Sequence, residues 1–293
     1  MRYAILSDVH GNAEALHAVL DDMDLYCEEH GGSISQRWCL GDVVGYGPEP
    51  EECVQLVRDW CLICIPGNHD WAAVGNIDLG GFGKGAAESA TWTSKRLSRE
   101  DRVFLRNLPK ITRVGDFTLA HGSPLNPIWE YLTTPTVAAP NFAAFETIFC
   151  VVGHSHLPMI FLQQAGEHPA ASAPFHHAMA ASIALSMQGE GGPSQSMLEN
   201  MEVPTGGNET WARCERVIPQ QGLWVLPQGY RAIINPGSVG QPRDGDPRAS
   251  YVIYDSELGF DFRRVEYDVA TTQRRIRELG LSPQLAARLS RGI

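Results

Sequence analysis

Six short apolar runs in this chain each end in a polar, glycine-containing turn, and no other feature restricts its fold as strongly. The run at 3–6 leads into Ser7 and Asp8, that at 37–40 into Gly41 and Asp42, and that at 62–65 into Pro66, Gly67, Asn68 and His69. Residues 117–120 lead into His121 and Gly122, 149–152 into Gly153 and His154, and 232–234 into Asn235, Pro236 and Gly237. Runs without polar alternation are strands buried on both faces, so their sheet has to be covered by other layers. Polar groups placed just after such strands stand where open α/β sheets build their active sites.

Between the first two runs, Leu16, Val19, Leu20, Met23 and Cys27 recur at helical spacing behind Asn12, whose side chain suits an N-cap. Further helices are predicted over 51–60, 86–106 and 269–279, and a strand pair over 249–254 and 260–267 joined by a turn. A layered α/β sandwich is the simplest architecture. Residues 163–222 differ: they hold four of the seven methionines, repeated Gly, Ala, Ser and Pro, and no strand alternation. They read as a lid or loop inserted into one domain spanning 1–293, between strand-like stretches at 158–162 and 223–226. His176 and His177 fall inside this segment and read as surface histidines.

A chain of 293 residues buries enough surface to dispense with a disulfide or structural metal, so a metal here would serve function. Its 34 acidic against 23 basic residues give a net charge of −11, a poor match to duplex nucleic acid. Small anionic substrates remain compatible, because a metal cluster makes a positive pocket inside an acidic protein. No run of eighteen apolar residues is present, and Asp8 interrupts the N-terminal apolar stretch, so neither a membrane span nor export is expected. The seven cysteines lie in apparent strands and helices and read as reduced core residues of a cytoplasmic protein; Cys61 and Cys64 have no second pair at zinc-ribbon spacing. The glycine-rich run 80–85 neither follows a strand nor matches a P-loop, and reads as a loop in which Phe82 is available to stack on a base or ring. Association with a second copy of the chain is left open.

Asp8, His10, Asp42, Asn68, His69, His121, His154 and His156 are the chemistry-bearing residues of these turns. Any one alone is an ordinary cap or hydrogen-bonded polar group. Eight imidazole, carboxylate and amide groups after successive strands share a purpose, and that purpose is metal coordination. Asp8 with His10, and His154 with His156, are pairs two residues apart that point the same way from extended backbone, each able to clamp an ion. Oxygen and imidazole donors without thiolate favour Mn²⁺, Fe or Zn²⁺. With Asp8 and Asp42 as the carboxylates, two divalent ions leave a local charge of about +2, which draws a phosphate ester.

In order, Asp8-Val9-His10-Gly11-Asn12, Gly41-Asp42, Gly67-Asn68-His69-Asp70, His121-Gly122 and Gly153-His154-Ser155-His156 resemble the successive motifs of calcineurin-like metallophosphoesterases. The resemblance spans residues 1–156 and resumes at Asn235-Pro236-Gly237-Ser238-Val239-Gly240. It implies a four-layer α/β/β/α sandwich with the insertion, and two metal ions. Asp8, His10 and His156 would hold one, Asn68, His121 and His154 the other, with Asp42 bridging. It further implies hydrolysis of a phosphate ester by a metal-bridging hydroxide, with His69 stabilising the phosphoryl group or protonating the leaving oxygen. Phosphoprotein phosphatases and symmetrical dinucleoside-tetraphosphate hydrolases carry Asp-Arg-Gly after the second motif, where this chain has Gly45 and Tyr46. Gly-Tyr-Gly-Pro at 45–48 and the stretch 235–243 are similar instead to the bacterial and archaeal phosphodiesterase-type branch. Within it, Arg243 and Asn12 are the candidate substrate contacts, Arg243 replacing the missing phosphate ligand. The expected function is hydrolysis of phosphodiesters or nucleotide-like esters. The alternatives are a dinucleoside-polyphosphate hydrolase and a non-catalytic scaffold of the same fold; the retromer subunit resembling this family lacks the histidine found here at position 69.

Overall fold

The apolar runs become strands of two mixed sheets in the computed structural model, which describes residues 1–165 and 213–293. In chain order, β1 (Arg2–Leu6), α1 (Ala13–His30), β2 (Gln36–Cys39), α2 (Pro50–Trp60) and β3 (Ile63–Cys64) come first. Next are α3 (Asn68–Val74), α4 (Lys84–Arg96), α5 (Arg99–Arg106), β4 (Ile111–Val114), β5 (Phe117–Ala120), α6 (Pro135–Asn141), β6 (Phe149–Val151) and β7 (Pro158–Gln164). The described chain ends with β8 (Cys214–Val217), β9 (Gly222–Trp224), β10 (Tyr230–Pro236), β11 (Ala249–Asp255), β12 (Gly259–Val265), α7 (Val269–Glu278) and α8 (Pro283–Leu289).

One sheet runs β3-β2-β1-β11-β12-β9 and the other β4-β5-β6-β10-β7-β8. Their facing sides bury one core, in which Ile5, Trp38, Leu40, Val252 and Phe260 of the first meet Phe117, Leu119, Phe149, Val151 and Ile234 of the second. The outer face of the first sheet, through Leu6, Cys39 and Ile253, packs on Leu16, Val19 and Met23 of α1 and Val54 of α2. The outer face of the second, through Cys150, Phe161 and Ile233, packs on Ala138 of α6 and on Phe142 and Phe145. Consecutive residues such as Ile5 and Leu6 thus enter different cores, which is why the strands show no polar alternation. Each fully buried large side chain contributes about 1.5–3 kcal/mol. The architecture is the expected four-layer α/β/β/α sandwich.

Strand register gathers the polar turns. Parallel pairing sets Leu6 beside Cys39 and Cys39 beside Cys64, and in the second sheet Leu119 beside Val151 and Val151 beside Ile234. The residues that follow these strands therefore leave the sheets along common edges. Backbone bonds join the turns there: Val239 N donates to Ser7 O at 3.0 Å and Gly240 N to Asp8 O at 2.9 Å.

Two local expectations change. Residues 86–106, predicted as one helix, form α4 and α5, because Leu97 turns extended and Ser98 starts a new helix. Ser98 Oγ accepts from Asp101 N at 3.1 Å while Asp101 Oδ2 accepts from Ser98 N at 3.1 Å, a reciprocal cap. The segment predicted as an insertion over 163–222 is narrower at both ends. Gln163 and Gln164 belong to β7, Cys214–Val217 pairs with it as β8 with Cys214 opposite Gln163, and Gly222–Trp224 pairs with β12. Residues 166–212, His176 and His177 included, lie outside the described residues. No helix among the described residues is long and apolar enough to cross a membrane, and all seven cysteines are free.

Asn12 caps α1 as predicted, and both ends of its side chain are bonded within the protein. Its Oδ1 accepts from Ala15 N at 3.2 Å and from Thr272 Oγ1 at 3.0 Å, and its Nδ2 donates to Gly240 O at 2.9 Å. The side chain is committed to tying α1 to α7 and to the turn after β10. Asn12→Ala is expected to lower the unfolding free energy by about 2 kcal/mol or more, through the lost cap and the partners left unpaired. Urea titration measures this; unchanged stability with a raised KM would return Asn12 to the substrate.

Candidate metal centre

Asp8, His10, Asp42 and His156 bring ligand-type atoms within 4.8 Å of one another, and Asp42, His121 and His154 form a second such group. Asp42 belongs to both. Its Oδ1 accepts from His69 N at 2.8 Å, while its Oδ2 lies 3.7 Å from His10 Nε2 and 3.4 Å from His121 Nε2. Asp8 is divided in the same way, with Oδ2 accepting from His154 N at 3.1 Å and Oδ1 standing 3.3 Å from His156 Nε2. In each carboxylate the backbone fixes one oxygen and the other faces imidazole nitrogens.

The imidazoles are oriented from behind. Nδ1 of His10 meets Val44 O at 3.2 Å, that of His121 meets Leu40 O at 2.8 Å, and that of His156 meets Gln241 O at 2.6 Å. A carbonyl only accepts, so each Nδ1 carries a proton, and in the neutral ring the Nε2 lone pair points into the site. Nε2 of His10 and Nε2 of His156 then face each other at 3.0 Å with no proton between them, an arrangement that a cation resolves. Asp8 Oδ1, Asn68 Oδ1, His121 Nε2 and His154 Nε2 are buried without a hydrogen-bond partner. Such orphaned atoms cost about 1–3 kcal/mol each. Three of these atoms, on Asp8, His121 and His154, belong to residues of the two ligand groups, and unpaired imidazole and carboxylate donors so gathered fit a divalent metal.

Electrostatics point the same way. Burial pushes His10, His154 and His156 well below the ordinary histidine value, which keeps them neutral as ligands must be. Burial also opposes charge on His121, but Asp42 beside it prevails and raises it to about 9, so a cation there competes with a proton. Burial lifts Asp8 to about 7; Asp42, equally buried, is held below its usual value by His121 and His69. Backbone strain marks the same residues. Among the described residues the non-glycine positions with positive φ are Asp8, His10, Asp42, Tyr46, His154 and His156, at 51° to 66°. Each costs roughly 1–3 kcal/mol, which the surrounding fold has to offset.

Around this cluster, α3 begins at Asn68, and Asp70 locks its start. Asp70 Oδ1 accepts from Val44 N at 3.0 Å and Oδ2 from Gly67 N at 2.9 Å, tying the loop that carries Asp42 to the loop that carries Asn68 and His69. A side chain at Gly67 would collide with Asp42 Oδ1. Asp70 had no role assigned from sequence, although an acid three residues after Gly67 at a helix start is a legible capping signal. His69 is 4% exposed, with its ring 4.4 Å from Tyr46 and 5.0 Å from His10. Gly45, at φ +93°, leaves room for that ring, so the carboxylate that phosphoprotein phosphatases carry here has no counterpart. Burial pushes His69 down to about 4, so without substrate it is neutral. Arg243 is brought to the same place: Nη2 donates to Gln241 Oε1 at 3.2 Å, a further bond joins it to Tyr131, and Nε is buried without a partner. Among the described residues Arg243 forms no ion pair. Sequence reasoning missed Tyr131 and the orienting carbonyls, which no side-chain pattern announces.

The calcineurin-like phosphoesterase family matches residues 1–179 of the chain. An uncharacterized protein of Methanocaldococcus jannaschii is 32% identical over 295 residues, with 99% of this chain and 97% of the relative covered. This chain belongs to the calcineurin-like phosphoesterase family. The crystal structure of a metallophosphoesterase from Sphaerobacter thermophilus shares 38% identity with this phosphoesterase, at a TM-score of 0.73 over 100% of this chain and 99% of that one. A hypothetical protein from Pyrococcus horikoshii OT3 shares the fold at a TM-score of 0.65, with 20% identity and coverage of 100% and 98%. The phosphoesterase is thus a metal-dependent hydrolase of phosphate esters, and its buried His and Asp cluster is the set of residues able to hold the metal.

Proposed function

We propose that this phosphoesterase hydrolyses phosphodiesters of nucleotide-like alcohols at a dinuclear centre in which Asp42 is shared. The observation that carries the reading is the presence of Asp42 in both ligand groups, one oxygen held by the His69 amide and the other turned to His10 and His121. Asp8, His10 and His156 complete one metal site, and Asn68, with its unpaired Oδ1, completes the other beside His121 and His154. Divalent ions held there, Mn²⁺, Fe or Zn²⁺, supply neutralisation of phosphoryl oxygens and activation of water.

The chain's own groups do the rest. Arg243, lacking a carboxylate partner, pairs with a phosphoryl oxygen through its guanidinium. His69 hands a proton to the leaving oxygen; the negative charge of a bound phosphate raises the proton affinity that burial has lowered. With Gly45 and Tyr46 where phosphatases place acid and arginine, the guanidinium bonded beside the cluster among the described residues is that of Arg243, which suits the single charge of a diester. After Mn²⁺ loading, the wild-type enzyme is expected to turn over an aryl phosphodiester faster than the aryl monoester or a dinucleoside tetraphosphate. Arg243→Ala should raise the diester KM about tenfold in the same assay, the worth of one charge-assisted contact. Monoester or tetraphosphate preference would overturn the diester assignment.

A further inference from the structure

Rings gather on one side of the centre. Phe82, in the glycine-rich loop before α4, stands edge-on to His69 at 5.1 Å and to Trp129 at 5.3 Å. Trp129 and Tyr131 follow His121 in the chain, and Tyr131 stacks on His154 at 3.9 Å. All three rings are half-buried. Trp129 packs partly on the core beneath the first sheet, but Phe82 and Tyr131 belong to none of the four apolar clusters of the described residues.

Tyr131 has a polar reason to be where it is, since it bonds Arg243. Phe82 has none. Its ring contacts are a site histidine and an aromatic neighbour, and no core behind it explains why an apolar ring is held there by a loop that also contains Gly80, Gly81, Gly83 and Gly85. A half-exposed aromatic ring beside a polar site offers a π surface to a planar ligand, whatever the identity of that ligand's ring. The site also has two chemically different ends. Tyr131 is bonded to Arg243, the group proposed above to bind a phosphoryl oxygen, whereas Phe82 stands against His69, the group proposed to protonate the leaving alcohol.

We propose that Phe82, backed by Trp129, determines specificity by stacking a planar heterocycle on the alcohol that leaves beside His69, so that nucleoside-bearing phosphodiesters are preferred. This rests on the assignment of His69 to the leaving group. The ring contact is with the substrate's base, so discrimination is between diesters with and without a heterocycle and is weak among the bases themselves.

The test uses Mn²⁺-loaded full-length enzyme and two readouts. One is kcat/KM for a dinucleoside monophosphate against the same diester lacking the base on its leaving nucleoside. The other is equilibrium binding of adenosine 5′-monophosphate against ribose 5-phosphate, followed by tryptophan fluorescence. In the wild-type protein both ratios are expected to favour the base about tenfold or more, the size of one stacking contact. Phe82→Ala should bring both close to one with metal content unchanged, and Phe82→Trp should keep them. Ratios near one in the wild type, or ratios that survive in Phe82→Ala, overturn the proposal. Diesters hydrolysed without regard to the base would leave the proposed function standing and remove only this inference. A base-dependent binding ratio that is lost in Phe82→Ala, without hydrolysis of any diester, would keep the stacking contact of Phe82 and overturn the proposed function together with the diester preference built on it.

Discussion

Asp42→Ala is expected to reduce turnover to background and to lower the metal content to at most one ion per chain. Each of the two ligand groups contains Asp42, so a single truncation opens both. The remaining ligands are neutral imidazoles, the Asn68 amide and Asp8, which leaves one carboxylate against four positive charges if both ions stayed bound. Asp42→Asn separates shape from charge. It preserves volume and an acceptor for the His69 amide, but an amide oxygen is a poor bridge between two cations, so activity should remain lost. Metal analysis of the purified variants together with a rate assay decides the matter. Two ions per chain at near wild-type rate would refute the shared-carboxylate assignment.

The second large effect belongs to His69. His69→Ala should keep its metal, because the ring is not among the ligand groups and the backbone amide that holds Asp42 is retained. Its rate should fall by about 10²–10⁴ on diesters with a poor leaving alcohol, the usual worth of general acid catalysis. With a nitrophenolate leaving group, which departs without a proton, the loss should be tenfold or less. The comparison is internal to one variant, so misfolding cannot imitate it. Equal losses on both substrates would assign His69 to phosphate binding instead.

The residues that meet at the centre were legible in the sequence for a chemical reason. Carboxylates, imidazoles and an amide directly after strands of pure apolar character have few other reasons to recur, and parallel strands deliver their ends to the same edge. Asp8, His10, Asp42, His121, His154 and His156 converge in space from positions as far apart as 148 residues, as their strand-end placement implies. The expectation that each i, i+2 pair clamps one ion from extended backbone holds only for the grouping of Asp8 with His10: His154 and His156 enter different ligand groups, and all four residues have positive φ, which turns neighbouring side chains apart. His69 arrives with them, its amide bonded to Asp42, because α3 starts directly at the motif. The strands of both sheet centres were likewise visible as uninterrupted apolar runs. The break between α4 and α5 was also encoded, in Ser98 and Asp101, but helical periodicity continues across it and masks the cap.

Tertiary structure alone decided the rest. Asn12 is a helix cap by its place in the sequence, and only the arrival of Gly240 and Thr272 around it makes it a tie between α1, α7 and the turn after β10. β8 alternates no apolar residues and exists because β7 offers it an open ladder, so its identity lies in its partner. Which nitrogen of each histidine faces the site was set by the carbonyls of Val44, Leu40 and Gln241, and every residue has a carbonyl, so no sequence pattern marks them. The positive φ values at Asp8, His10, Asp42, His154 and His156 belong to the same category. L-residues adopt that conformation only when their surroundings compel it. Sequence therefore determined the kind of chemistry and the layers that carry it, through residue type and periodicity. The orientation of each ligand atom came from long-range contacts, because hydrogen bonds between loops far apart in the chain depend on how the two sheets pack.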